Sequence, residues 1–126
     1  MKIVIPIAPI TKKNHQQIVK AGNRRMVIPS KQYRQYEADC LPFLKAMHID
    51  YPVNVRALYY MPTRRRVDLV NLHEALCDVL VKYGVLEDDN SKIIVSMDGS
   101  RVLYDKQYPR TEVYIEEVET PGQTCQ

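Results

Sequence analysis

The chain has 126 residues and a mass of 14.7 kDa, enough for one domain with one core and too little for two. Hydrophobic residues make up 45% and charged residues 26%, with a net charge of +3, which excludes disordered, collagenous and coiled-coil chains. Cys40, Cys77 and Cys125 are widely separated and form no C-x-x-C pair, so neither a disulfide framework nor a thiolate zinc site is expected.

Lys2 to Ile10 alternates apolar residues at Ile3, Ile5 and Ile7, the period of a strand, but Pro6 and Pro9 remove ladder donors and predict an edge strand. This stretch falls far short of the roughly 20 residues of a membrane span, and nothing after Met1 reads as a signal peptide. A cytoplasmic, membrane-free protein with reduced thiols is expected. A polar loop with Lys12, Lys13, Asn14, Lys20, Arg24 and Arg25 follows, and Met26 to Ile28 reads as a short return strand, together a basic hairpin arm. Ser30 is a good N-cap for a first helix reaching about Ala46, with apolar positions Tyr33, Tyr36, Ala38, Leu41, Phe43, Leu44 and Met47; Pro42 should kink or shorten it. Val53 to Met61 reads as a strand ending in the basic loop Thr63-Arg64-Arg65-Arg66. Asp68 opens the clearest helix: Leu69, Leu72, Ala75, Leu76, Val79, Leu80 and Tyr83 share one face, Lys82 suits the last turn and Gly84 the stop. Ile93 to Met97 is a strand, Asp98-Gly99 a turn, Arg101 to Tyr104 a continuation, Thr111 to Val118 a last alternating strand, and residues 120–126 a polar, frayed tail. The expected fold is α+β: one domain over residues 1–126, with a small mixed β-sheet and two main helices.

The net charge conceals a polarity. Residues 1–67 hold 13 Lys/Arg against 3 Asp/Glu, a balance of +10; residues 68–126 hold 5 against 12, a balance of −7. Two solvated surfaces of opposite sign are the plain explanation. The sharper one is a basic surface for a polyanion beside an acidic group for divalent cations, the pairing that phosphate chemistry requires. On the helix from Asp68, the residues Asn71, Glu74 and Asp78 fall within about 60° of one another, on the flank opposite His73. Glu74 and Asp78 are like charges at i, i+4, a mildly unfavourable pair that calls for a compensating cation. Past Gly84 come Glu87, Asp88, Asp89 and Asn90. Oxygen donors without paired His or Cys suit Mg²⁺ or Mn²⁺ rather than zinc. Taken singly, Asp68 also reads as an N-cap, Asp88 and Asp89 as turn residues, and Glu74 and Asp78 as a solvated helix face.

The run Arg64-Arg65-Arg66-Val67-Asp68-Leu69-Val70-Asn71-Leu72, continuing through Glu74, Asp78, Leu80, Gly84 and Asp88-Asp89, resembles the RusA family of Holliday-junction resolvases, small endodeoxyribonucleases of phages and prophages. That family's pattern is an arginine-containing loop, Asp-x-Asp-Asn, a lysine, a further Asp, a Gly and a terminal Asp-Asp. The Pro-rich opening strand, the Asn14 loop and Ser30 are similar too. Two positions depart from the pattern: Val70 stands where the family has its second aspartate, and Glu74 where it has lysine. Since Val70 and Glu74 are i, i+4 neighbours, the longer Glu74 side chain can bring its carboxylate toward the missing acid's place, so the acid is read as moved one turn along the helix. The lost lysine leaves a gap for Lys92 or an arginine of the 64–66 loop.

The resemblance implies hydrolysis of a DNA phosphodiester at a four-way junction, dependent on Mg²⁺ (or Mn²⁺), with Asp68, Glu74 and Asp89 as catalytic metal anchors and Asp78 and Asp88 assisting. Lys12, Lys13, Asn14, Arg24, Arg25, Arg64, Arg65, Arg66, Asn71 and Lys92 are the expected DNA contacts. His73 reads as a partly buried or surface histidine, and Tyr59 and Tyr60 as strand packing. A twofold-symmetric junction suits a homodimer, for which Val70, Cys77 and Val81 offer a small second apolar stripe. A DNA-binding protein that has lost catalysis, and a small protein-interaction domain, stand as alternatives.

Overall fold

The strand expected over residues 53–61 is the central strand of the protein. In a computed structural model, which describes residues 1–12, 16–21 and 24–119, the strands are β1 (Lys2–Ile5), β2 (Gln16–Ala21), β3 (Arg24–Pro29), β4 (Val53–Met61), β5 (Ile94–Ser96), β6 (Arg101–Tyr104) and β7 (Arg110–Glu117), with helices α1 (Lys31–Cys40) and α2 (Leu69–Lys82). The main sheet runs β1-β7-β4-β5, and β6 also pairs with β4. β7 lies antiparallel to both β1 and β4, whereas β5 and β6 run parallel to the two ends of β4. The sheet is therefore mixed, and the structure is α+β.

Side chains of β4 alternate between faces. Val53, Val55, Ala57 and Tyr59 are buried, while Asn54, Arg56, Leu58 and Tyr60 on the other face are only partly covered. Both helices contribute to the core on the buried face: Tyr33, Tyr36 and Cys40 from α1, and Leu72, Ala75, Leu76, Val79 and Leu80 from α2. Each fully buried Leu or Val is worth about 1.5–3 kcal/mol over its exposed state, so the apolar stripe of α2 holds that helix to the sheet. A parallel pair such as β4 and β5 needs a crossover, and α2 supplies it.

The first helix is shorter than the sequence suggested. Ser30 caps it as expected, its Oγ accepting from the Tyr33 amide at 3.1 Å, but the α-helix ends at Cys40 and gives way to a 3₁₀ turn at Leu41–Phe43 with Pro42 inside. Proline cannot donate the next ladder bond. Beyond that break the helical periodicity no longer aims side chains at the core, and Leu41, Phe43 and Met47 are exposed; Ala38, still within the helix, is exposed as well. The basic arm is a full two-stranded hairpin, β2 with β3, in which Lys20 pairs with Arg25; its first strand was read as loop. Lys13, Asn14 and the tail from Thr120 lie outside the described residues.

At the end of α2, Gly84 adopts φ +75°, the left-handed stop that glycine takes without steric cost. Its carbonyl accepts from the amides of Met47 (2.9 Å) and His48 (2.8 Å); the Ile49 amide donates to Val85 (3.1 Å), and the Glu87 amide returns a bond to Ile49 (2.9 Å). A parallel bridge joins Ile49 to Leu86, and both side chains are buried. This clasp fixes where the chain enters Glu87–Asn90.

Candidate functional site

The acids foreseen from the sequence are distributed around α2 in three groups. Glu74, on the exposed side of the helix, and Asp89, beyond the clasp, line one cavity of about 280 Å³ together with Val70, His73, Cys77, Ile94 and Met97. These two carboxylates, 15 positions apart, are brought together by the return of the chain at Gly84. Asp68 sits at the N-cap of α2 with its side chain making no capping bond to the helix backbone; its Oδ2 instead accepts from Asn71 Nδ2 at 3.3 Å. Asp78 does not line that cavity; its Oδ2 accepts from Lys12 Nζ at 3.0 Å. Among the described residues, no three His, Cys, Asp or Glu side chains gather closely enough to cage an ion.

The cation called for by the like-charged pair Glu74 and Asp78 is thus present within the chain itself. Lys12, at the root of the basic arm, neutralises Asp78, and both partners are about one-third exposed. A pair at that exposure is worth about 0–1 kcal/mol; its consequence is positional, since it ties the end of the opening segment to α2. Burial, and after it the charge of Asp78, holds the Tyr33 phenol above its ordinary range, and that phenol donates to the Ala75 carbonyl at 3.3 Å under the same flank.

Asp88 is occupied by its own turn. Its Oδ1 accepts from the Asp89 amide at 2.7 Å and its Oδ2 from Asn90 Nδ2 at 3.1 Å, bonds that lower its pKa and keep it ionised. The Lys92 amide donates to Asn90 Oδ1 at 2.9 Å, and the Lys92 side chain is exposed. This local bonding leaves Asp89, rather than Asp88, to face the cavity.

Two cavity walls were not anticipated. His73, read as lying away from the acids, flanks Glu74 in the cavity, 8% exposed; its Nδ1 shares a 2.6 Å hydrogen bond with the Tyr59 hydroxyl from the core strand. Burial holds its pKa below the ordinary 6.5. Cys77, read as part of an outer stripe, is 5% exposed. Its thiol is pushed up to about 12, first by burial and then by the charges of Asp89 and Asp78. The Cys77 thiol is a soft donor that a hard cation disfavours, and one His73 nitrogen is already engaged. The donors the cavity offers are therefore carboxylate oxygens, the set that suits a hard divalent cation. The signal in the sequence was angular: Val70, His73, Glu74 and Cys77 fall within about 100° on the helical wheel. Val70 itself is 74% exposed, at the rim.

The arginine loop borders two clefts. Arg65 and Arg66, with Thr11, Gln32 and Thr63, line one of about 550 Å³ between the first loop and α2's approach. Arg64 and Arg65 line another of about 380 Å³ against β6. All three arginines are exposed. Arg24 and Arg25 open β3 of the arm. A wider apolar groove of about 620 Å³, between Ile7–Ile10 and α1, holds none of the candidate acids. Among the described residues, no helix is long and apolar enough to cross a membrane.

A family model described as Endodeoxyribonuclease RusA matches residues 6–116, which takes in the arginine loop, all of α2 and the acidic segment beyond it. A comparison with curated proteins returns no match.

Proposed function

Since the chain belongs to the RusA family of endodeoxyribonucleases, we propose that it nicks four-way DNA junctions by divalent-metal-assisted phosphodiester hydrolysis, with Glu74 and Asp89 as the principal carboxylates. The observation that carries this reading is their shared cavity, built from two segments that the Gly84 turn and its clasp bring together. Two carboxylates suffice for Mg²⁺, which keeps several waters and completes its shell from substrate phosphates. Asp68, two residues before Val70 and steadied by Asn71, lies outside that cavity and assists from the start of α2. The ion's contribution is to lower the pKa of a water and to offset charge on the phosphate.

The chain's own residues supply the remainder. Arg65, Arg66 and the basic arm hold the sugar-phosphate backbone, giving affinity that falls steeply with salt. Asp78 keeps the Lys12 ammonium on the flank next to Glu74, where it meets an incoming phosphate. His73 and Cys77 form the buried wall behind the carboxylates. No covalent nucleophile is required. Two coordinated nicks on a twofold-symmetric junction call for two copies of the chain, so the working form is a C₂ homodimer. Exposed Val70, in the place of the family's second aspartate, favours a second reading in which the same surface binds DNA without cutting it.

Incubating the protein with a synthetic four-way junction separates the two readings. Symmetric nicks in Mg²⁺ that vanish in EDTA are expected, with Glu74→Gln and Asp89→Asn each lowering the nicking rate by at least 100-fold while junction affinity stays within about threefold. Nicking that survives Glu74→Gln refutes the assignment of Glu74, and binding without nicking by the unaltered protein supports the second reading.

A further inference from the structure

Three arginines among the described residues lie over tyrosine rings, and their surroundings differ. Arg110 stacks on Tyr60 with 3.7 Å to the ring centroid and on Tyr108 at 4.7 Å, and its charge is met by Asp105 at 2.9 Å and Glu112 at 2.7 Å. Arg56 lies 4.0 Å from the Tyr114 centroid with Glu116 at 3.7 Å. Arg64 lies 4.1 Å from the Tyr104 centroid and, among the described residues, has no carboxylate within ion-pair distance. The first two are internal fastenings with their electrostatics closed. The third is an exposed, flat guanidinium, held against a ring, with its charge and its donor edge directed at solvent.

Its location gives it an occupant. Tyr104 pairs in register with Met61 of β4 and so shares its side of the sheet; Met61 packs against the helix-bearing core. The platform is therefore on the face that carries α2 and the acidic cavity. Arg64 precedes Asp68 by four residues, a reach of at most about 14 Å along the chain, or roughly four nucleotides of a stacked strand. Tyr104 is 39% exposed and Val102 38%, and both line the 380 Å³ cleft with Arg64 and Arg65. A polyanion with flat apolar faces meets this combination of cations, ring and cleft; a base inside a continuous duplex has no free face to offer it. At the crossover of an open four-way junction the strands part company, and the base pairs that end each arm lose a stacking neighbour, so base faces become available for stacking on aromatic or guanidinium planes.

We propose that Arg64 and Tyr104 form a stacking platform for one base of the strand being cut whose face is bared at the branch point, so that branch-point structure is read within a few nucleotides of the cleavage site. The inference rests on the nuclease reading for its substrate, but its test uses binding alone.

Junctions carrying a single abasic residue at each of the first four positions on either side of the nick are titrated by fluorescence anisotropy in EDTA, against the unaltered protein, Tyr104→Ala and Tyr104→Phe. One abasic position is expected to weaken binding by the unaltered protein roughly 5- to 100-fold, the range of a lost base–aromatic stack. Tyr104→Ala should show the same loss on the intact junction and be indifferent to that abasic position, while Tyr104→Phe behaves as the unaltered protein. Affinity for plain duplex should change less than about twofold in both variants. The platform is refuted if no abasic position costs the unaltered protein more than about twofold, if the losses from Tyr104→Ala and the abasic residue multiply, or if the unaltered protein does not bind the junction. Binding with intact coupling but without nicking in Mg²⁺ overturns only the catalytic reading and supports the platform.

Discussion

Replacing Tyr59 by Phe removes one oxygen from a place where it is hard to spare. Tyr59 is 1% exposed and His73 8%, and the 2.6 Å bond between them joins the central strand to α2. Whichever partner carries the proton, the substitution leaves His73 Nδ1 facing a phenyl ring. A buried polar atom stripped of its partner costs about 1–3 kcal/mol, against a net value of only about 1 kcal/mol for an ordinary hydrogen bond. For a domain of this size, each kcal/mol lowers Tm by about 3–5 °C, so Tyr59→Phe should melt about 3–15 °C below the unaltered protein. His73→Leu should cost a similar amount by orphaning the hydroxyl. With both changes together no polar atom is left to satisfy, and the double variant should be more stable than the sum of the two losses by about 1–2 kcal/mol. Urea denaturation of the four proteins gives the cycle. Tyr59→Phe within 0.5 kcal/mol of the unaltered protein, or additive losses, would refute the view that this pair joins the wall of the site to the core.

Gly84→Ala forces a side chain into φ +75° and brings its Cβ within 3.1 Å of His48 Cε1, so a stability loss of about 1–2 kcal/mol is expected by denaturant melting. Val70→Asp adds a carboxylate one turn before Glu74 at a 74% exposed position. Metal-free stability should stay within about 0.5 kcal/mol, while the Mg²⁺ concentration for half-maximal nicking falls several-fold; an unchanged half-point would count against the cavity as the ion site. The bond from Arg110, then that from Tyr114, holds Glu112 below its ordinary 4.5. Its unfolded form therefore binds protons first as pH drops, so its contribution is complete above about pH 4.5 and drains away below it. Arg110→Met should flatten the acid limb of a stability–pH curve measured by circular dichroism.

Where local chemistry and tertiary structure agree, the sequence was legible. β4, α2, the Ser30 cap and the Gly84 stop follow from alternation, helical periodicity and positional preference, and they occur within a residue or two of expectation. The first helix was overextended because apolar residues continue past Pro42 while the backbone cannot. Of the three expected anchors, Glu74 and Asp89 line one cavity and Asp68 does not; the role of Lys12 as the counter-ion of Asp78 has no mark in the sequence, since 66 positions separate them and no periodicity connects a loop lysine to a helix flank. His73 was assigned away from the acids by its angle to Asn71; its angle to Glu74, its immediate neighbour in the cavity, was the relevant one. Tyr104 carries no mark in the sequence at all, because its significance depends on a parallel pairing with Met61 that brings it beside Arg64.

The backbone bonds that bind residues 47–49 to residues 84–87 have an entropic consequence. A loop that had to be ordered by its cargo would charge that ordering against affinity, and at low cargo concentration it would spend most of its time in unproductive shapes. Here the backbone leading to Asp89 is held by the chain's own amides and carbonyls, so a cation bound there as proposed would shed hydration water without having to freeze the main chain. Preorganisation of this kind would let a weakly held ion come and go between turnovers while the geometry awaiting it persists.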